Sequence, residues 1–201
     1  MRIAVIDYDA GNLRSVETAL RHIEADFFVT ADAEKVRDAD GLIFPGVGDA
    51  GASMQVLVGR GLDTALKEHA ASGKPFLGIC LGSQIVLDRS AEADAELLGI
   101  VPGEAPGFPL NAGEKVPHIG WNTVRHDGTG IFAGVPQDAS FYFVHSYYPR
   151  PSDASATIGT CHYILDFCAA LQHDNVIATQ FHPEKSGTCG LQMLRNFSRG
   201  I

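Results

Sequence analysis

One stretch constrains this chain more than any other: a thiol stands between two glycines, directly after an apolar run, in Gly78-Ile79-Cys80-Leu81-Gly82. The same spacing around a serine forms a strained turn from strand to helix that lifts a reactive atom above the edge of a sheet. Side chains at positions 78 and 82 would crowd such a turn, and glycine avoids this. The helix predicted to begin near Leu81 would direct backbone N–H groups at the sulfur and stabilise negative charge there. We therefore interpret Cys80 as a candidate nucleophile.

A second motif decides between this interpretation and the commoner one, in which a free cysteine is simply a small buried hydrophobic residue. Gln180-Phe181-His182-Pro183-Glu184 follows a short β-prone run, 176–179. Active sites of open α/β sheets gather where parallel strands end, so this motif and Cys80 are expected to meet. His182 can take the thiol proton, and Glu184 can fix the tautomer of its imidazole. The sequence therefore predicts a cysteine triad.

Composition limits the class of protein. The 201 residues fit one domain, 1–201, and 45% hydrophobic with 19% charged residues is typical of a globular protein. A formal net charge of −9 argues against nucleic acid as a partner. No stretch approaches the ~18 apolar residues of a membrane span. The four cysteines form no paired CxxC pattern and the histidines show no metal-ligand spacing, so we expect a protein of the reducing cytoplasm without a metal.

Alternating patterns indicate the α/β class with a doubly wound parallel sheet. Strands are predicted at 3–6, 26–30, 41–44 and before Cys80, with helices over 11–23 and around 65–71. After residue 100 the chain changes to shorter β-like pieces within 135–148 and 156–168, and a helix closes it at 189–198.

Five motifs together resemble a known family. The turn at 78–82, a nucleophile elbow, is continued by Ser83-Gln84. Together with His182-Pro183-Glu184 it is similar to the same motifs of class I, triad-type glutamine amidotransferases. Nearly the whole chain resembles the glutaminase subunits of imidazole glycerol phosphate synthases, through Pro45-Gly46-Val47-Gly48, Lys115 to Asn122, Phe141 to Tyr147 and Phe181 to Ser186. This resemblance implies a flavodoxin-like, three-layer α/β fold with a mostly parallel central sheet and additional β-hairpins in the C-terminal half.

The resemblance also implies roles near the nucleophile. Cys80 would attack the side-chain amide of glutamine, with oxyanion donors from the Leu81 N–H and the Gly46-Val47 peptide. Gln84 would bind the main-chain end of glutamine, and Glu92 matches a second glutamine-binding position. Alternatively, Gln84 is a solvated helical side chain and Glu92 belongs to an ordinary acidic surface loop.

A partner subunit is implied as well. The resemblance places His118, Trp121 and Asn122, with Tyr142 and Lys185, against a cyclase subunit of (βα)₈-barrel fold in a heterodimer. That subunit would receive ammonia through a passage and activate the glutaminase, with no cofactor on this chain. Trp121 is expected in a Gly-Trp-Asn loop; it could instead lie in the core, while Tyr142 and Lys185 could be an ordinary strand tyrosine and surface lysine.

Two other functions remain open at this point. One is a different triad-type amidotransferase with its own acceptor, since the elbow and His-Pro-Glu are shared across the superfamily; the motifs at 115–122 and 141–147 favour the synthase subunit. The other is a binding protein that keeps the fold without turnover, which the intact Cys80, His182 and Glu184 argue against.

Overall fold

A computed structural model describes residues 1–9, 13–110 and 113–200 of the chain. The first half alternates strands with helices, as predicted, in the order β1 (Ile3–Ile6), α1 (Leu13–His22), β2 (Phe27–Thr30), α2 (Ala33–Asp38), β3 (Gly41–Gly46), α3 (Ala50–Gly59), α4 (Leu62–Ala71), β4 (Phe76–Cys80) and α5 (Leu81–Ile85). The predicted start of the first helix, at Gly11, lies outside the described residues. Helices α2 and α3 are additional to those that the sequence predicts.

The second half is mainly β. Its elements are β5 (Arg89–Ser90), β6 (Ala95–Glu96), β7 (Gly103–Ala105), β8 (His118–His126), β9 (Ala139–His145), β10 (Arg150–Pro151), β11 (Thr157–Tyr163), β12 (Leu165–His173), β13 (Val176–Thr179) and α6 (Gly187–Ser198). Trp121 lies within β8, so its expected position in a loop is wrong. Pairing with β9 along seven residues extends the segment, and this pairing is not visible in the local sequence.

One nine-stranded sheet organises the molecule, in the order β2-β1-β3-β4-β13-β12-β11-β8-β9. The first five strands run parallel, and the remaining four continue the sheet antiparallel. Strands β1, β3, β4 and β13 are buried along their whole length, as expected for parallel strands covered on both faces. A small sheet of order β10-β7-β5-β6 lies apart from the large one.

Helices cover both faces of the parallel strands and produce three layers. Side chains of α1 and α6, including Leu20, Met193 and Phe197, belong to one apolar cluster. Side chains of α2 to α5, including Leu66 and Ile85, belong to the other. The sheet is therefore held rigidly, and the carboxyl ends of β3, β4 and β13 are fixed next to one another.

The turn between β4 and α5 is as tight as the two glycines predict. Cys80 has φ of 55° and ψ of −108°, outside the regions that L-residues prefer. A Cβ on Gly82 would overlap the Phe44 carbonyl oxygen, and one on Gly78 would lie 2.9 Å from the Gly82 carbonyl oxygen. Backbone of neighbouring segments thus fills the space that a side chain would need.

Two histidines lie opposite each other in the antiparallel part of the sheet. His118 on β8 pairs with His145 on β9, and both side chains are buried among Phe108, Phe143 and Phe167. Their rings are joined by a hydrogen bond of 3.0 Å between His118 Nδ1 and His145 Nε2. Burial lowers the pKa of His118 to about 4 and that of His145 to about 3. Both imidazoles are therefore neutral at physiological pH.

Substituting Gly82 tests the close approach at the turn. Gly82→Ala should lower the free energy of unfolding by about 3 kcal/mol, because carbonyl backbone must move to admit the methyl group. Denaturant unfolding measures the change. Gly59→Ala is the matched control, since a Cβ there meets no atom within 4 Å; it should be neutral or stabilising. Equal stability of the two variants would contradict the packing described here.

The histidine pair predicts a dependence of stability on pH. Below a pH of about 6.5, His118 and His145 bind protons in the unfolded chain but stay neutral in the folded protein. The free energy of unfolding should therefore fall as the pH is lowered towards 4. His118→Phe should make this slope shallower by up to about 1.4 kcal/mol per pH unit. Denaturant unfolding across this pH range checks it. Replacing the exposed His22 by Gln is the control, and an unchanged slope in His118→Phe would refute the prediction.

Candidate active site

The structure brings Cys80 and the His-Pro-Glu motif to one edge of the sheet. β13 pairs in parallel with β4, with Thr179 opposite Ile79, so the chain continues from β13 towards the elbow. The backbone of His182 is fixed by β9, since its N–H donates to the Tyr142 carbonyl at 3.0 Å. Ser186 completes this attachment: its Oγ donates to the His182 carbonyl and accepts from the Tyr142 N–H.

His182 and Glu184 form a buried ion pair with one defined direction. His182 Nδ1 lies 2.8 Å from Glu184 Oε1, and both side chains are almost completely inaccessible to solvent. A carboxylate only accepts, so Nδ1 carries a proton and any proton exchange of the imidazole takes place at Nε2. Nε2 has no hydrogen-bond partner among the residues that the structure describes. This arrangement suits a general base held in a single tautomer.

Electrostatics around His182 favour its protonated form. Burial would lower the pKa of the imidazole, but negative charge on the Cys80 sulfur and on the Glu184 carboxylate outweighs it and raises the pKa to about 10. The proton that leaves the thiol therefore has a strong acceptor beside it. The imidazolium formed in this way can later return the proton to a leaving amine.

Backbone close to Cys80 can supply oxyanion donors. Leu81 is the first residue of α5, where the N–H groups have no partner within the helix. Gly46 lies opposite Cys80 in the pairing of β3 with β4. A Cβ on Gly46 would lie 2.9 Å from the Leu81 Cβ and 3.1 Å from the Gly82 nitrogen. The Gly46-Val47 peptide thus borders the elbow, and Gly48 follows with a φ of 99° that favours glycine.

Gln84 lies beside Cys80, whereas the Glu92 carboxylate contacts the start of α3. Gln84 is buried on α5, and its Nε2 donates to the Tyr147 carbonyl and to Gln180 Oε1. Glu92 lies in a short 3-10 turn, where its Oε2 accepts a hydrogen bond of 2.7 Å from the N–H of Ala50 at the start of α3. Partial burial raises the pKa of Glu92. Glu92 therefore fastens its turn to α3.

Three of the five residues expected at an interface form one cluster, in which Trp121 is exposed and Tyr142 and Lys185 are half-buried. The Trp121 side chain is 59% exposed and meets the Tyr142 ring edge to face, while Lys185 Nζ lies 5.7 Å from the centre of the same ring. The Tyr142 ring is 6.3 Å from the His182 ring, so the cluster adjoins the triad. His118, in contrast, is only 3% exposed, and Asn122 binds its imidazole and the His162 carbonyl. His118 is therefore not accessible to another protein, whereas Asn122 is half-buried like Tyr142 and Lys185.

Four further groups at the site lie within the sequence motifs, but the sequence assigns no role to them. Gln180 donates from Nε2 towards Cys80 Sγ at 3.7 Å, and His145 donates from Nδ1 to the Tyr147 carbonyl at 2.9 Å. Ser186 and the Tyr147 carbonyl complete the set. Gln180 carries one readable signal, since it is a polar residue immediately after a fully apolar strand and two positions before the base.

Two features are absent from residues 1–9, 13–110 and 113–200. No group of three or more His, Cys, Asp or Glu side chains there could hold a metal ion. No helix in the same ranges is long and apolar enough to cross a membrane.

Comparisons with known proteins agree with this geometry. The family model of glutamine amidotransferase class-I matches residues 4–200. "Imidazole glycerol phosphate synthase subunit HisH" of Nitratidesulfovibrio vulgaris (strain Miyazaki F) is 48% identical, over 97% of this chain and 95% of its own length. The protein of the same name from Herpetosiphon aurantiacus is 46% identical, over 97% and 92%.

Solved structures support the fold at much lower sequence identity. "Structure of PurLQS from Thermotoga maritima" matches with a TM-score of 0.78 at 17% identity, covering 99% of this chain and 98% of that one. A glutamine amidotransferase from Thermotoga maritima matches with a TM-score of 0.70 at 15% identity, covering 98% and 96%. The predicted α/β amidotransferase fold is thereby confirmed. The chain belongs to the class-I glutamine amidotransferase family, and the HisH proteins are relatives along almost its whole length.

Proposed function

We propose that this chain is the glutaminase subunit of an imidazole glycerol phosphate synthase. It hydrolyses glutamine and passes ammonia to a cyclase subunit, which makes imidazole glycerol phosphate and aminoimidazole carboxamide ribotide in histidine biosynthesis. The observation that carries the proposal is the buried His182–Glu184 pair, with a free Nε2, beside a nucleophile elbow in a chain 48% identical to a HisH protein.

The first half of the reaction forms an acyl enzyme. His182 Nε2 takes the thiol proton, and Cys80 Sγ attacks the side-chain amide carbon of glutamine. The negative charge that develops on the amide oxygen is bound by the Leu81 N–H and the Gly46-Val47 peptide. The carbon–nitrogen bond then breaks, His182 gives its proton to the leaving nitrogen, and ammonia departs from a glutamyl thioester.

The second half regenerates the enzyme. His182 takes a proton from a water molecule, whose oxygen attacks the thioester carbon, and the same donors bind the second oxyanion. Glutamate leaves with the new oxygen, and the Cys80 sulfur regains its proton. Glu184 holds the imidazole in the required tautomer throughout. Gln84 binds the main-chain end of the substrate, and Glu92 is proposed as an additional contact at the rim.

The partner is proposed to be a cyclase of (βα)₈-barrel fold, bound as a heterodimer. Trp121, Tyr142 and Lys185 are proposed as the docking cluster. His118 and Asn122, whose side chains alternate with Trp121 along β8, are proposed to hold that strand in place. A large exposed aromatic with a neighbouring cation is typical of an interface hot spot. Because the cluster adjoins His182, ammonia released there lies close to the partner and can enter a passage through it.

We further propose that residues 1–201 act as one domain in the cytoplasm. A single nine-stranded sheet spans the chain from β1 to β13, and all four cysteines are free thiols. The glutaminase step is proposed to need neither metal nor cofactor, because side chains supply the nucleophile and the base and backbone supplies the oxyanion donors.

Glutamate release tests the function directly. Hydrolysis of glutamine should be slow for the isolated chain and should rise sharply when a HisF-type cyclase and its ribotide ligand are added. Cys80→Ser should lower the rate of glutamine hydrolysis by more than roughly 10³-fold, while the complex still makes product from ammonium salts. Cys189→Ser, which alters a thiol on α6, is the control and should keep full activity.

Two unexpected results of this experiment would lead to different conclusions. If Cys80→Ser loses both glutamine-dependent and ammonium-dependent synthesis, Cys80 has a structural role. If the cyclase does not change glutamine hydrolysis by the parent chain, the amidotransferase activity stands and the proposed partner is wrong.

Trp121→Ala tests the docking cluster. We expect the dissociation constant with the cyclase to rise roughly 10-fold to 100-fold, because a hot-spot aromatic would be lost from the centre of the interface. Titration calorimetry measures the constant, and Val58→Ala, an exposed apolar residue on α3, is the matched control. An unchanged constant for Trp121→Ala would place the interface elsewhere.

A further inference from the structure

One backbone carbonyl beside the nucleophile accepts two hydrogen bonds from different directions. The Tyr147 oxygen lies 3.0 Å from Gln84 Nε2 and 2.9 Å from His145 Nδ1. A carbonyl oxygen only accepts, so both partners must donate. The Tyr147 carbonyl therefore determines which end of the Gln84 amide faces it and which nitrogen of His145 carries hydrogen.

On one side of Tyr147, hydrogen bonds of the Gln84 and Gln180 amides connect its carbonyl with the Cys80 sulfur. Gln84 Nε2 also lies 2.9 Å from Gln180, and since Nε2 donates, the atom it meets must be the Gln180 oxygen. Gln180 therefore turns its own N–H group towards Cys80 Sγ, at 3.7 Å. Both hydrogens of Gln84 Nε2 are used in this way, and its Oε1 is left as an acceptor.

On the other side, hydrogen bonds of the His145 and His118 imidazoles connect the Tyr147 carbonyl with strand β8. His145 is neutral with hydrogen on Nδ1, so its Nε2 accepts from His118 Nδ1 at 3.0 Å. His118 is then unprotonated at Nε2, which accepts from Asn122 Nδ2 at 3.3 Å. The Asn122 amide donates also to the His162 carbonyl. Every hydrogen along this series has one possible position.

We propose that His118 and His145 are positioning residues of the glutamine pocket: through the Tyr147 carbonyl they fix the amides of Gln84 and Gln180 in the one orientation that serves the substrate. The inference rests on the proposed function and adds to it a source of specificity. Gln84 offers Oε1 to the α-ammonium group of a free amino acid. Gln180 offers an N–H to the sulfur while negative charge resides there.

The opposite orientation of the Gln84 and Gln180 amides would weaken the contact with the substrate ammonium group and the contact with the Cys80 sulfur. If the carbonyl of Tyr147 rotated away, the Gln84 amide could turn and present N–H groups to the substrate ammonium, where two donors meet without an acceptor. Gln180 would then turn its oxygen towards the sulfur and oppose negative charge on it. Losing a buried hydrogen bond to a charged group costs roughly 10-fold or more in binding.

Two substitutions at His118 separate orientation from packing. His118→Phe keeps an aromatic ring between Tyr163 and Phe143 but has no donor for His145. His118→Asn loses the ring and keeps an N–H at the position of Nδ1. Tyr163→Phe, which removes only a hydroxyl that donates to the Lys115 carbonyl, alters the same stack and leaves the series intact.

The test is steady-state glutaminase kinetics of each variant in complex with the cyclase. The substrates are glutamine and its analogue without the α-amino group, 4-carbamoylbutanoic acid. We expect His118→Phe to raise KM for glutamine about 10-fold with a smaller change in kcat, and to narrow the preference for glutamine over the analogue by a similar factor. His118→Asn should raise KM less than His118→Phe does, and Tyr163→Phe should stay within about 3-fold of the parent. Circular dichroism of each variant and its dissociation constant with the cyclase verify folding and assembly.

Two results would overturn the inference alone. One is a parent-like KM and substrate preference in His118→Phe; the other is a larger defect in His118→Asn than in His118→Phe, which would assign the effect to packing. If the partner has no influence, the same series is run on the isolated chain. A parent chain without any glutaminase activity would overturn the proposed function and this inference together.

Discussion

The pairing of β4 between β3 and β13 is the constraint on which the rest of the site depends. Its register places Gly46 beside Cys80 and carries the chain after Thr179 towards the sulfur. Because these strands are buried on both faces, a shift of one residue would turn apolar side chains towards the wrong layer. The arrangement of Cys80, the Gly46-Val47 backbone and His182 is therefore determined by the packing of the sheet.

Structural features that depend only on neighbouring residues can be predicted from the sequence. The elbow, the strand before it and the His182–Glu184 pair follow from a few neighbouring residues, because glycine sterics and the spacing of acid and base act locally. Helices α2 and α3 have weaker signals, with Asp caps as their clearest sign. The strand around Trp121 is specified by its pairing with Tyr142 and the rest of β9, a separate segment of the chain, so local sequence predicts a loop there.

The hydrogen-bonded series around Tyr147 lies beyond sequence reasoning for a different reason. Its members, Gln84, Gln180, His145 and His118, are separated by as many as 96 positions, and each is an ordinary polar residue in isolation. Only the fold shows that one carbonyl joins them. Burial also removes the feature by which histidine is usually recognised, since imidazoles held neutral among aromatic rings do not titrate near pH 7.

The attachment of the His182 segment to β9 has a consequence for the sheet itself. β9 is the last strand of the sheet, and an open last strand invites pairing with another molecule. At Tyr142 both backbone groups are already occupied, the N–H by Ser186 Oγ and the carbonyl by the His182 N–H. The segment that carries His182 thus also covers this edge strand at Tyr142. A change that loosened the segment would therefore free backbone groups of an edge strand for pairing with another molecule.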